Sequence, residues 1–252
     1  MTYRTLLTGL ALALSVTVGL SSANAETLKV GSTSTGVPFT FLDIKTQQID
    51  GMMVDVIDAV GEKAGFTPQV SAVDFASLIP SLRSNRIDII SAAMLSTPAR
   101  AKVIDFSDPV FPYGEGLVVN KDDDTEYSQE LTQTEGKVIG AQQGTLYLEQ
   151  LRKMDGIGEI RVYDSLADLM REVQLGRVDA GIGDKPIMAY QMSQGKYDGL
   201  KFADGYESQF GGSISLGVRK GDEALLARIN EALASLKGSG DIDRMAKEWG
   251  LQ

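Results

Sequence analysis

The sequence predicts an α/β protein built as two similar halves, on three observations. Short apolar runs rich in β-branched residues alternate with segments of helical period, the pattern of layered α/β structure with largely parallel sheets. The stretches SLRSNRIDII around Asn85 and REVQLGRVDAGI around Gly176 repeat one pattern: helix, a residue suited to the left-handed cap, Arg, a β-branched residue, Asp, strand. The chain has 252 residues, enough for one large domain or two small ones that each bury a core.

The chain opens with MTYRTLLTGLALALSVTVGLSSANA, in which Arg4 gives a positive start, residues 6–20 an apolar run, and Ala23-Asn24-Ala25 a small-residue cleavage pattern. Residues 1–25 read as a secretory signal peptide, with the mature chain beginning at Glu26. Beyond it no apolar stretch approaches the ~20 residues that cross a bilayer.

In chain order, the β-rich runs predict strands over 28–32, 69–73, 87–92, 116–120, 138–142, 159–163, 180–182 and 213–218. The segments of helical period predict helices over 53–63, 75–84, 98–103, 146–154, 167–175, 186–194, 223–236 and 242–249. Thr97 with Pro98 gives the third of these a hydroxyl cap and proline at the first helical position, and Thr145 offers a cap to the next. Asp88 and Asp179, at the repeated corners, read as structural acids.

Composition removes whole classes of chemistry. With no cysteine and no histidine, thiol nucleophiles, disulfides, Ser-His-Asp triads, His/Cys zinc sites and lipidated cysteines are impossible. Three adjacent acids, Asp122-Asp123-Asp124, point in different directions and read as a solvated turn, so neither metal nor cofactor is expected. A net charge of −10, one unit more negative once Arg4 is removed, disfavours nucleic acid and anionic membrane surfaces as partners.

Arg100 stands out because it falls in the first turn of the helix begun at Pro98, where a cation opposes the helix dipole by about 0.3 to 1 kcal/mol. It is either a surface arginine tolerating that cost or a group placed for an anion. In the second case the free amides and a bidentate guanidinium would act on the anion together.

The residues around Arg100 carry a family resemblance. TPARAKVIDFSDP resembles the signature of the periplasmic solute-binding proteins of polar amino acid ABC transporters. VPFTFLD with IDGMMVDVIDAV, DFASLIPSLRSNRIDII, KVIGAQQGT, GRVDAGIGDKP and ISLGVRKGDEALLARINEAL with KEWG follow in the order such proteins show. The resemblance implies the type II periplasmic-binding-protein fold, two α/β lobes joined by a two-strand hinge and closing on a ligand. The first lobe would comprise 26–112 and 213–252 and the second 113–212, with hinge strands near GEGLVV and GGSISL.

Carried over residue by residue, Arg100 matches the group that holds the ligand's α-carboxylate, with Gly144 and Thr145 reaching it from the second lobe. Asp184 matches the acid for the α-ammonium, although by itself an aspartate there reads as an N-cap. Phe75 and Gln142 match positions that contact the ligand side chain; Phe39 and Phe41 are further aromatic candidates that also suit a core. Trp249 is expected to pack the terminal helix on the first lobe. A zwitterion held by one cation and one anion on opposite lobes neutralises both on closure.

Several positions depart from the family pattern. An acid often found near Thr33 or Ser34 and an aromatic lid at the position of Gly36 are both missing, Leu95 stands where a hydroxyl is common, and Ala93 offers only backbone. These departures suggest an amino acid or a bulkier derivative, such as an opine-like compound. The expected partners are that ligand and, transiently, an ABC permease in the inner membrane, with the chain itself a monomer in the periplasm and not an enzyme. One alternative is a cyclohexadienyl-dehydratase-like enzyme on the same fold, for which Asp184 would have to serve as both clamp and acid. Another is the binding module of a sensor.

Overall fold

The computed structural model describes residues 26–128 and 130–251, so the expected signal peptide lies outside the described residues. Two five-stranded sheets organise the chain. In the first, the order is Phe66–Ala72, Glu26–Ser32, Ile89–Ile90, Gly217–Arg219, Ile104–Phe106. In the second it is Glu159–Tyr163, Val138–Gln142, Ala180–Asp184, Glu115–Asn120, Leu200–Phe202. Each sheet has three parallel strands and then, in fourth place, an antiparallel strand that follows a crossing from the other lobe.

The parallel pairs follow from strand-helix-strand units. Helix Met52–Ala64 returns the chain from Glu26–Ser32 to Phe66–Ala72 and buries Met52, Met53, Val56, Ile57 and Val60. In the second lobe, helix Leu166–Gln174 buries Leu166, Leu169, Met170 and Val173. Such apolar stripes at helical spacing supply the core, at about 1.5 to 3 kcal/mol for each fully buried aliphatic side chain.

The repeated sequence corner is one structure used twice. Asn85 and Gly176 both take the left-handed conformation, with φ of 60° and 68°. Asp88 then accepts the Lys29 N–H at 2.9 Å while its own N–H bonds the Lys29 carbonyl at 2.7 Å. Asp179 does the same with Val138, at 2.7 and 2.9 Å. Each aspartate thus fastens a new strand beside an earlier parallel one, and Asp88 also pairs with Arg219 at 3.0 Å.

Several elements depart from expectation, each for a local reason. The strand expected over 213–218 is two: Gly212–Ile214 pairs with Phe111–Tyr113 in a two-stranded ribbon between the lobes, and Gly217–Arg219 joins the first sheet. The break comes where Leu216 turns both backbone groups onto Ser107. The helix expected over 75–84 begins as a 3-10 turn, Phe75–Ser77, before α-helix Leu78–Arg83, which leaves Pro80 in the first α-turn where its missing N–H is harmless. A small antiparallel sheet of Thr35–Gly36, Thr40–Leu42 and Ile49–Asp50 was not expected. Trp249 packs as expected, its indole N–H on Asp55 at 2.6 Å and its ring edge-on to Phe41 at 5.8 Å.

Candidate functional site

The helix that carries Arg100 is a single turn, Pro98–Ala101, with the Thr97 hydroxyl accepting the Arg100 N–H at 3.3 Å. So short a helix has little dipole, and the electrostatic penalty expected for Arg100 is correspondingly small. Its side chain reaches into the space between the lobes. One terminal nitrogen donates to the Leu95 carbonyl at 2.7 Å and the other crosses to the Gly144 carbonyl at 3.0 Å. The guanidinium lies over the Phe75 ring, 5.5 Å from its centre, within cation–π range. Burial lowers the Arg100 pKa from its ordinary value, and the nearby Tyr113, Asp184 and Glu149 oppose that shift.

Facing it from the second lobe, Asp184 ends strand Ala180–Asp184 and stands at the N-cap position of helix Lys185–Ser193, yet its side chain makes no capping bond. The carboxylate instead accepts the Tyr147 hydroxyl at 2.7 Å. The Tyr113 hydroxyl, bonded to the Ala93 carbonyl at 2.6 Å, faces the same carboxylate. Burial pushes the Asp184 pKa up to about 6, with Glu115 adding to the rise, while the two tyrosines and Arg100 hold it down. Burial and the Asp184 charge also raise both tyrosine pKa values, so each phenol keeps its proton and can donate.

Beside Asp184 lies a cavity of about 20 Å³ lined by Gly36, Phe75, Ala93, Gln142 and Asp184 among the expected residues, with Ile187 closing it from the second lobe. Gly144, at φ 77°, brings the second lobe against the first: a Cβ added there would sit 2.9 Å from the Ala76 Cα. Thr145 caps helix Leu146–Leu151 through the Leu148 N–H at 3.3 Å and gives its hydroxyl proton to the Gln142 carbonyl at 2.7 Å. The hydroxyl is therefore committed within its own turn, as the helix cap the sequence offered. Leu95 contributes its carbonyl to Arg100, and Ala93 its carbonyl to Tyr113.

Phe39 corrects the sequence expectation. It is 0% exposed and packs on Phe111 and Tyr113 at 5.9 and 5.6 Å, inside the first lobe rather than in the cleft. Sequence reasoning also missed Tyr113, Tyr147 and Glu115. Glu115 is 0% exposed and opposes Asp184 in register across adjacent strands. It accepts the Tyr206 and Ser208 hydroxyls at 3.0 and 2.8 Å and the N–H groups of Gln209 and Phe210. Its place in GEGLVV, an acid between glycines leading into an apolar strand, was the available signal for a buried carboxylate.

Residues 28–252 match the family described as bacterial extracellular solute-binding proteins, family 3. The chain belongs to that family. The arginine-binding extracellular protein ArtP of Bacillus subtilis is 28% identical over 232 residues, 91% of this chain and 88% of the relative. An ancestral arginine-binding protein bound to arginine superposes with a TM-score of 0.81 at 32% identity, covering 88% of this chain and 97% of that one. An ancestral arginine-binding protein bound to glutamine gives 0.82 at 32% identity, over 90% and 98%. An ancestral amino acid-binding protein described as a precursor of cyclohexadienyl dehydratase gives 0.79 at 28%, over 88% and 95%. This family 3 solute-binding protein therefore has the two-lobe type II fold, and the binding-protein reading prevails over the enzyme alternative. No helix among the described residues is long and apolar enough to cross a membrane.

Proposed function

We propose that this protein captures an amino acid or amino-acid derivative in the periplasm and delivers it to the permease of an ABC importer, acting as a diffusible monomer after removal of residues 1–25. The observation that carries this reading is the pair Arg100 and Asp184, opposite charges from different lobes, with Asp184 lining the cavity and Arg100 lying over Phe75 of its wall. Residues 26–112 with 213–252 form one lobe and 113–212 the other, hinged where Phe111–Tyr113 and Gly212–Ile214 pair.

In this reading Arg100 takes the α-carboxylate, helped by backbone at Gly144 and Thr145, and Asp184 takes the α-ammonium while the Tyr147 hydroxyl holds its carboxylate in place. Phe75 and Gln142 meet the ligand side chain. Each charge is costly to bury unpaired, so a zwitterion that bridges them favours the closed arrangement of the lobes. The names of the relatives, which specify arginine or other amino acids, support the ligand class.

A thermal-shift screen against the twenty amino acids and octopine tests the proposal. A ligand at 100 times its dissociation constant stabilises the native state by about 2.7 kcal/mol. The shift is expected to vanish in Arg100→Ala and Asp184→Ala, and with the ligand's carboxamide and its deaminated acid. A shift that survives both substitutions would refute the clamp; no shift with any member would refute the amino-acid reading.

A further inference from the structure

Of the eleven residues lining the cavity, Asp184 alone is ionisable. The remaining wall includes Thr33 and Thr40, whose hydroxyls bond each other at 2.6 Å, together with Phe75, Gln142 and Ile187. Gln142 commits its amide nitrogen to the Asp164 carbonyl at 3.0 Å. Where the sequence suggested extra room at Gly36, a Cβ would lie 3.3 Å from the Thr33 hydroxyl and 3.6 Å from the Ile187 Cδ1, so the second lobe already fills much of that space.

From this inventory we infer that the site selects amino acids whose side chain carries no charge. The inference rests on the Arg100–Asp184 reading above, because that clamp uses the cation and the anion for the ligand's own α-groups. A second charge on the side chain would then enter walls that hold no counter-ion and would be buried unpaired. An uncharged polar side chain needs only hydrogen bonds, which the two threonines and the Gln142 carboxamide supply. An apolar one packs on Phe75 and Ile187.

The neighbouring cavity of about 200 Å³, beyond Phe75 and Gln142, does bring three acids near: Asp74, Asp164 and Asp168. Asp74 and Asp164 are exposed to water, and Asp168 already pairs with Arg171 at 3.0 Å and accepts the Ser165 hydroxyl at 2.6 Å. Exposed carboxylates attract a cation only weakly through water, too little to offset what the charged head of a basic side chain loses on leaving bulk water for the cleft. The same acids repel an acidic side chain. The site thus parts from arginine, the ligand named for the relatives.

Isothermal titration of the purified protein with L-glutamine, L-threonine, L-leucine, L-phenylalanine, L-arginine, L-lysine, L-glutamate and octopine tests this inference. The best uncharged amino acid is expected to bind at least about 100-fold tighter than any charged member. Arginine, lysine, glutamate or octopine binding equally well or better, and losing that binding in Arg100→Ala, would overturn the inference and leave the clamp standing. No binding by any member would overturn both.

Placing an acid on the uncharged wall gives a second, independent reading. Thr33→Asp is expected to raise the arginine-to-glutamine affinity ratio at least about 10-fold. Thr35→Asp, at an exposed position lining both cavities, replaces it if the buried substitution does not fold. An unchanged ratio in a folded acid variant would count against the inference.

Discussion

Asp184→Asn is expected to stabilise the fold above pH 6 while abolishing the anion that the ligand's ammonium needs. Burial raises this carboxyl from 3.8 to about 6, so the folded protein holds the proton more tightly than the unfolded chain does. Its contribution to stability is complete below about pH 3.8 and is lost as the pH rises through about 6. The difference of roughly 2 units amounts to about 3 kcal/mol at neutral pH, since each unit is worth 1.36. Asparagine keeps an oxygen for the Tyr147 hydroxyl and escapes that loss. In a chain of this size it should raise Tm by roughly 6 to 12 °C at pH 7.5, at about 2 to 4 °C per kcal/mol.

Urea and thermal unfolding of both proteins from pH 4 to 8 would measure the effect. Other carboxylates, such as Asp105 held down by Lys220, titrate in both proteins and cancel in the difference. The gap should widen from pH 4 to 7 and then stay constant. An Asp184→Asn protein less stable than the wild type at pH 7.5, or a gap independent of pH, would refute the account of a charge kept at a cost for binding.

Two further substitutions address the frame around the site. Glu115→Gln turns one acceptor into a donor facing the Tyr206, Ser208, Gln209 and Phe210 groups, and should cost at least about 2 kcal/mol in urea unfolding; a loss under 0.5 would mean that the loop rearranges around it. Gly144→Ala combines a left-handed φ with a methyl group against Ala76 of the other lobe, and should weaken ligand binding about 10-fold or more by isothermal titration while changing stability by only about 1 kcal/mol. Unchanged affinity would mean that the two lobes need not meet at this point.

Much of the fold was legible because its signals are local and repeated. The two corners at Asn85 and Gly176 could be read from sequence since a left-handed position, a β-branched residue and an aspartate each have a backbone requirement, and the structure uses all of them in both lobes. The strands Thr35–Gly36 and Ile49–Asp50 are only two residues long, too short for any periodicity to register. Phe111–Tyr113 contains Pro112, which reads as a breaker but is tolerated in a two-stranded ribbon. For the site, Arg100 was conspicuous as a cation in the first turn of a helix, whereas Asp184 sits where an N-cap is expected and was singled out only by the family resemblance. Tyr113 and Tyr147 were not, because their role depends on how far a phenol reaches across strands that only the fold brings together. Phe39 failed for the complementary reason: an apolar ring suits cleft and core equally, and hydropathy does not separate them.

Arg100→Lys separates the charge of the site from its shape. The guanidinium spans the Leu95 carbonyl of one lobe and the Gly144 carbonyl of the other with two nitrogens of one rigid plane, and lies over the Phe75 ring at 5.5 Å from its centre. Lysine carries the same charge on a single nitrogen, with no fork to match a carboxylate and a weaker stacking surface. If the ligand's carboxylate needs only a nearby cation, the substitution should cost little. If the planar fork matters, a charge-assisted bond worth about 1.5 to 3 kcal/mol is lost, which lowers affinity by roughly 10- to 150-fold. The second outcome is expected, with the loss in the dissociation rate, because long-range attraction to the cation is unchanged. Affinity within about threefold of the wild type would show that charge alone suffices, and the bidentate account of Arg100 would fall.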